Sequence, residues 1–254
     1  MRRILIKAAY DGTDYHGWQE AENAETIAGN INRALKRLTG EDIEVMGASR
    51  TDAGVHAKGN LAVFDTLSTI PSDRFSYALN TCLPSDIRIL SSKEVPPDFH
   101  FKNIKTEKTY LYRIILTDIP DPLRIRYAWD ISFDLDIEKM RLGASFLMGE
   151  HDFKSFCSVH TDARTTVREI SHISVEKEED EIRIWVRGYG FLYNMVRIIT
   201  GTLVEIGRGK SRPEDIPEIL DALDRRRAGP TAPPNGLTLI QIVMDQEAIR
   251  DVKL

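Results

Sequence analysis

Two periods of apolar residues take turns along the chain. Alternation of apolar and polar positions predicts strands over 4–10, 43–48, 61–65 and 86–95. A three-to-four spacing predicts a helix over 26–38, where Ile27, Ile31, Leu35 and Leu38 share one face. A second helix begins at Pro71-Ser72-Asp73 and carries Phe75, Leu79 and Cys82. The first part of the chain therefore reads β-α-β-β-α-β, the ferredoxin-like order.

The remainder repeats that order. Strands are expected over 108–116, 167–175, 182–188 and 237–244, with an acidic turn at 176–181 joining the second and third. Helices are expected over 136–148 and from Leu192 to Ile206, where Leu192, Met195, Val196, Ile199, Leu203 and Ile206 fall at helical spacing. An extra helix over 213–225 turns Ile216, Ile219, Leu220 and Leu223 inward. The fold class expected is α+β, two ferredoxin-like (RRM-like) halves with mostly antiparallel sheets and a cleft between them. The halves are placed at 1–100 and 101–254, joined near 96–106.

Composition changes little in this picture. With 42% hydrophobic residues the 254-residue chain has material for a core, and no apolar run approaches the roughly 18 residues of a membrane span. The opening apolar run is broken at Lys7 and Asp11, too short for a signal peptide, so a cytoplasmic location is expected. Cys82 and Cys157 lie far apart, which argues against both a disulfide framework and a cysteine metal site. The net charge of −5 disfavours nucleic acid only in sum. Basic residues gather at Lys102/Lys105/Lys108, Arg124/Arg126, Arg208/Lys210/Arg212 and Arg225-Arg226-Arg227, and phosphate binding depends on such local charge.

Four stretches could carry chemistry. Ser49-Arg50-Thr51-Asp52-Ala53-Gly54-Val55-His56 is a loop between strands. Asp52, two residues from Arg50, could be a carboxylate held ionised by its neighbour, or a turn residue bonding its own backbone. In Lys108-Thr109-Tyr110-Leu111-Tyr112-Arg113 the two tyrosines share a strand face, where aromatics either stack bases or fill half-buried positions. Arg187-Gly188-Tyr189-Gly190-Phe191-Leu192-Tyr193 resembles an RNA-recognition signature with Asn194 at its last aromatic position, but helical spacing begins at Leu192, which spoils a flat stacking surface. His151-Asp152 is a weak metal dyad, since His16, His56, His100, His160 and His172 show no ligand spacing. Phosphate-cradling and dinucleotide-binding glycine loops are absent, so no cofactor is expected.

Taken together, six blocks resemble the TruA family of tRNA pseudouridine synthases: residues 10–19, 49–57, 108–112, 152–156, 191–197 and 232–237. They run in the family's order over nearly the whole chain. Ser49 stands where many bacterial members have Gly, and a small residue still fits the loop. The resemblance implies a cofactor-free homodimer that isomerises uridine to pseudouridine in the tRNA anticodon stem-loop, at nucleotides 38–40. It implies that Asp52 is the nucleophile or glycosyl-stabilising carboxylate and that Arg197 keeps it ionised. It further implies that Tyr110 packs on the target uracil, with service as a base the second role open to it, and that Arg50 helps open the stem or contacts phosphate. The rival readings are a non-catalytic RNA-binding protein with two RRM-like halves, and a metal-dependent phosphohydrolase built on His151-Asp152.

Overall fold

The computed structural model describes residues 1–159, 161 and 163–245, which leaves His160 outside the described residues. Two compact units emerge: Met1–Thr106 with the described residues from Leu239 on, and Glu107–Thr238. Both mix helices with mostly antiparallel sheet, so the α+β expectation holds.

In the first unit, β1 (Arg2–Tyr10) lies between β3 (His56–Thr66) and β4 (Ile87–Val95), antiparallel to both. The short β2 (Met46–Gly47) pairs with β3 at Ala62 and Val63. Strand β10 (Leu237–Met244) also lies beside β3. The apolar faces of these strands bury Ile4, Ile6, Ala8, Leu61, Val63 and Phe64. Helices α1 (Ile27–Thr39) and α2 (Phe75–Asn80) supply Ile27, Ile31, Leu35, Phe75 and Leu79 to the core. Phe64 and Phe75 meet edge to face with centroids 5.3 Å apart, a favoured aromatic geometry.

Helix α1 starts and stops where its sequence tells it to. The Thr26 side chain accepts the Gly29 N–H, satisfying one orphan donor of the first turn, and Gly40 ends the helix at φ 77°. The second helix departs from expectation. A one-turn 3-10 piece at Ser72–Arg74 precedes α2, which ends at Asn80 and leaves Cys82 outside. Strand β2 is shorter than its apolar pattern, while β3 runs longer and begins directly at His56, so the 49–56 loop feeds straight into it.

In the second unit the order is β5 (Thr106–Leu116), β9 (Glu181–Tyr189), β8 (Val167–Glu178), β7 (Gly149–Asp152), each antiparallel to its neighbour. The acidic turn at Glu178–Glu181 joins β8 to β9, with Glu179 at φ 54°. Helices α3 (Ile137–Ser145), α4 (Met195–Gly207) and α5 (Asp215–Ala222) bury Met140, Ile198, Ile199, Leu203, Ile206, Ile216 and Ile219. Helix α4 begins at Met195, three residues after its apolar spacing does, because Asn194 adopts φ 62° and breaks the helical backbone. Two strands escape the pattern: β6 (Trp129–Ile131), parallel to β5, and β7. Both are too short for a period of two to declare itself.

Candidate functional site

The loop carrying Asp52 is built by the chain's opening block. Tyr10 ends β1, and its hydroxyl sits 2.8 Å from Thr51 Oγ1. The following turn brings Gly12 N–H onto His56 Nδ1 (3.0 Å). Gly54 N–H donates to Tyr15 O (3.1 Å), and Trp18 N–H donates to Thr51 O (3.0 Å). Inside the loop, Val55 N–H closes a turn onto Asp52 O (3.1 Å), and Gly54 supplies its positive φ of 77°. From β3, fully buried Asn60 donates to Tyr10 Oη and to Ser49 O.

Two close approaches make this arrangement specific. A Cβ on Gly12 would come within 2.1 Å of Val55 O, and one on Gly17 within 2.6 Å of Thr51 O. Backbone passes against backbone here, and only glycine leaves room. Thr51, Val55 and His56 are buried, Asp52 is half-buried and Arg50 is exposed. In the sequence the block at 10–19 stood only as one of the six that carry the family resemblance. Its task of cradling the Asp52 loop was signalled by Gly12 and Gly17 flanking aromatic residues.

Tyr110 and Tyr112 share a face of β5 but differ in use. Tyr112 is 0% exposed: its hydroxyl donates to Pro233 O (2.7 Å), and burial pushes its phenol well above the usual range. Its ring leaves no room for a Cβ on Gly236, which would lie 2.6 Å away. Tyr112 is therefore a pillar under the 232–237 block. Tyr110 is 6% exposed and sits edge to face with Phe191, centroids 5.0 Å apart. Phe191 thus packs against the tyrosine instead of joining a stacking platform. The 187–193 stretch ends β9 at Tyr189 and turns at Gly190 (φ 69°).

Arg197, in the first turn of α4, is aimed by two bonds. Its Nε donates to Ala232 O (2.8 Å) and its Nη1 to Asn194 Oδ1 (2.7 Å). Ala232 N–H returns a bond to Arg197 O (3.1 Å). The left-handed Asn194, which delays the helix, is the residue that orients this guanidinium.

The metal dyad dissolves into local structure. His151 Nε2 lies 2.8 Å from Met148 O, and Asp152 accepts the Lys154 N–H at the head of a 3-10 turn. Among the described residues, no three His, Cys, Asp or Glu side chains are grouped to hold a metal ion. The basic clusters are mostly matched at home. Arg212 pairs with Asp215 (2.8 Å), Lys210 with Glu205 (3.3 Å) and Arg226 with Asp224 (2.7 Å). Arg208 lies over the Phe133 ring, and Arg225 bonds the carbonyls of Ala228 and Gly229.

The tRNA pseudouridine synthase pattern matches residues 6–102 and 144–245, and the chain belongs to this family. Arg50, Asp52 and Arg197 fall inside the matched spans, and Tyr110 lies between them. Relatives named tRNA pseudouridine synthase A match end to end. The one from Acetivibrio thermocellus is 48% identical over 95% of this chain and 99% of its own length. That from Brevibacillus brevis is 49% identical over 96% and 100%. A tRNA pseudouridine synthase A 2 from Clostridium perfringens is 45% identical over 95% and 99%.

Proposed function

We propose that this enzyme isomerises uridine to pseudouridine in the anticodon stem-loop of tRNA, at nucleotides 38–40, with Asp52 as its reactive carboxylate. Family membership supports the reaction, and the Asp52 loop is the observation that carries the assignment. Seven hydrogen bonds and two glycine-only contacts fix a loop whose one carboxylate, Asp52, stays half-buried.

The reaction breaks N1–C1′, turns the uracil and forms C5–C1′, and a proton moves from C5 to N1. No electrons or water are consumed. Asp52 acts either by adding to base or sugar or by stabilising positive charge at C1′, and a carboxylate of ordinary pKa is ionised for this at neutral pH. The target base must first leave its stack, which costs a few kcal/mol. In this reading Tyr110 offsets part of that cost by packing on the uracil, Arg197 keeps Asp52 ionised, and exposed Arg50 contacts phosphate or wedges the stem.

A cytoplasmic location is part of the proposal, as the tRNA substrate would require. Among the described residues no helix is long and apolar enough to cross a membrane. A homodimer is part of the same proposal. Ile119 (82% exposed) and Leu123 (85% exposed) stand out on the connection after β5, with Ile125 and Tyr127 beside them, an apolar stretch suited to a second copy. The test is incubation with an unmodified tRNA transcript followed by pseudouridine mapping. Product at nucleotides 38–40 is expected, and its absence there rejects the reading.

A further inference from the structure

Several cations of the second unit have a carboxylate close by. Glu181 is buried among Arg113, Arg183 and Arg124, and Arg124 also takes Asp180. Lys108 and Arg168 differ. Lys108 stands on β5, on the face of Tyr110 and two residues before it. Among the described residues it makes no hydrogen bond or ion pair, and burial draws its ammonium down to about 8, with repulsion from Arg168 adding to the effect. Arg168, on β8, donates from Nη1 to the carbonyls of Thr165 (2.9 Å) and Val167 (2.6 Å), and meets no carboxylate among the described residues. Burial lowers its guanidinium too.

Between them β9 carries Gly188, where the Glu169 carbonyl lies 2.3 Å from the place a Cβ would take, so backbone and not a side chain fills that point. Lys108 pairs with Gly188 on β9, and Gly188 pairs in turn with Ile170 on β8, two residues from Arg168. The Arg168 stem lies across Gly190, 3.2 Å from where a Cβ would stand. Two partly desolvated cations of like sign, with no acid between them among the described residues, cost folding energy unless an anion arrives. Arg offers a planar fork for phosphate oxygens and Lys a compact charge, a suitable pair for one phosphodiester.

We infer that Lys108 and Arg168 form a binding site for one backbone phosphodiester of the substrate RNA, set on the same strand face as Tyr110. The site rests on the proposed RNA isomerisation and deepens it. It grips the nucleotide chain beside a flipped base without reading sequence.

The test uses the full-length enzyme and the same tRNA transcript. The logarithm of affinity is followed against the logarithm of salt. Lys108→Met is expected to flatten the slope by about 0.7–0.9, the share of one phosphate. Arg168→Gln does the same, the double variant flattens it little further, and Lys108→Arg restores it. Thermal unfolding checks that each variant is folded. If Lys108→Met is not, Arg168→Gln and single methylphosphonate linkages in a stem-loop carry the test, with one linkage weakening wild type and not Arg168→Gln. Unchanged slopes, or linkages that weaken wild type and variant alike, overturn the site. Inorganic phosphate separates a free-anion site from an RNA site. If phosphate raises the Lys108 ammonium pKa while the RNA slope ignores Lys108, the RNA phosphodiester is the wrong ligand. Pseudouridine is measured in the same wild-type mixtures. Its absence alongside a Lys108-dependent slope rejects the isomerase reading alone, and its presence with an unchanged slope rejects the phosphate site alone.

Discussion

Around Asp52, residues some forty positions earlier hold the backbone: Tyr10 reaches Thr51, Gly12 reaches His56 and Tyr15 reaches Gly54. Around Tyr110, sheet register does the holding. Tyr110 stands opposite Val186, Tyr112 opposite Ile184, and the strand's own alternation sets which face each ring takes. The first region is a polar loop whose every turn needs a partner. The second is a strand whose position follows from ladder bonds and apolar burial. A loop fixed in this way can keep a carboxylate half-exposed in a set position, which a buried strand does poorly. A strand can present a ring on a rigid floor, which a loop does poorly.

The largest effect that probes this contrast is Asp52→Asn. It keeps the size and the loop's backbone bonds and removes the charge. Turnover on tRNA is expected to fall at least about 1,000-fold, the scale of losing one transition-state electrostatic partner, with RNA affinity and melting temperature nearly unchanged. Pseudouridine formation by the pure variant would remove Asp52 from the chemistry.

Gly12→Ala attacks the loop's support instead of its charge. A methyl cannot fit 2.1 Å from Val55 O, so the turn must shift. Stability is expected to drop by about 2 kcal/mol and turnover by on the order of 100-fold, since small misplacements are costly in catalysis. A calorimetric scan and a rate measurement check both. Full activity would show that the opening block does not position Asp52.

On the strand side the effect is smaller and graded. Tyr110→Ala is expected to remove about 1–3 kcal/mol of base stacking, roughly tenfold to a hundredfold in turnover, while Tyr110→Phe keeps most of it along with the Phe191 contact. If Phe is as inactive as Ala, the hydroxyl carries the role and Tyr110 acts as a base.

The smallest effect concerns the floor of the same strand. The Arg113 guanidinium, with Arg183 assisting, lowers the Glu181 carboxyl to about 2 from its ordinary 4.5. A carboxylate depressed by folding adds stability that is complete above its unfolded pKa and is lost as pH falls through the folded value. Wild type is therefore expected to lose about 2 kcal/mol more than Glu181→Gln between pH 4.5 and pH 2. Denaturant titrations at several pH values read this difference, and parallel curves would show that Glu181 adds nothing. Activity at neutral pH is expected to change little.

Much of this was legible in the chain itself. The apolar face of α1 with Thr26 and Gly40 at its ends, and the alternation of β5, specify those elements locally, because caps, periods and turns act over a few residues. The order of strands and helices carried the α+β class, and the motif blocks carried the family and the identity of Asp52, Tyr110 and Arg197 as residues of interest. Strands β6 and β7 were invisible, since three or four residues cannot show a period. The start of α4 was misplaced because the left-handed Asn194 overrides a helical apolar spacing that begins before it.

The sequence by itself determined most of the strands and helices and which family the chain joins. Tertiary structure decided the rest. Tyr112 became a pillar, although it sits on one strand face with Tyr110 two residues away, because its hydroxyl meets the Pro233 carbonyl. It also decided that Arg212 and Arg226 are paired at home while Lys108 and Arg168 meet no carboxylate among the described residues. Charge is written in the sequence, but its partners are brought together from distant positions, and the energy of a charge depends on what the fold places beside it.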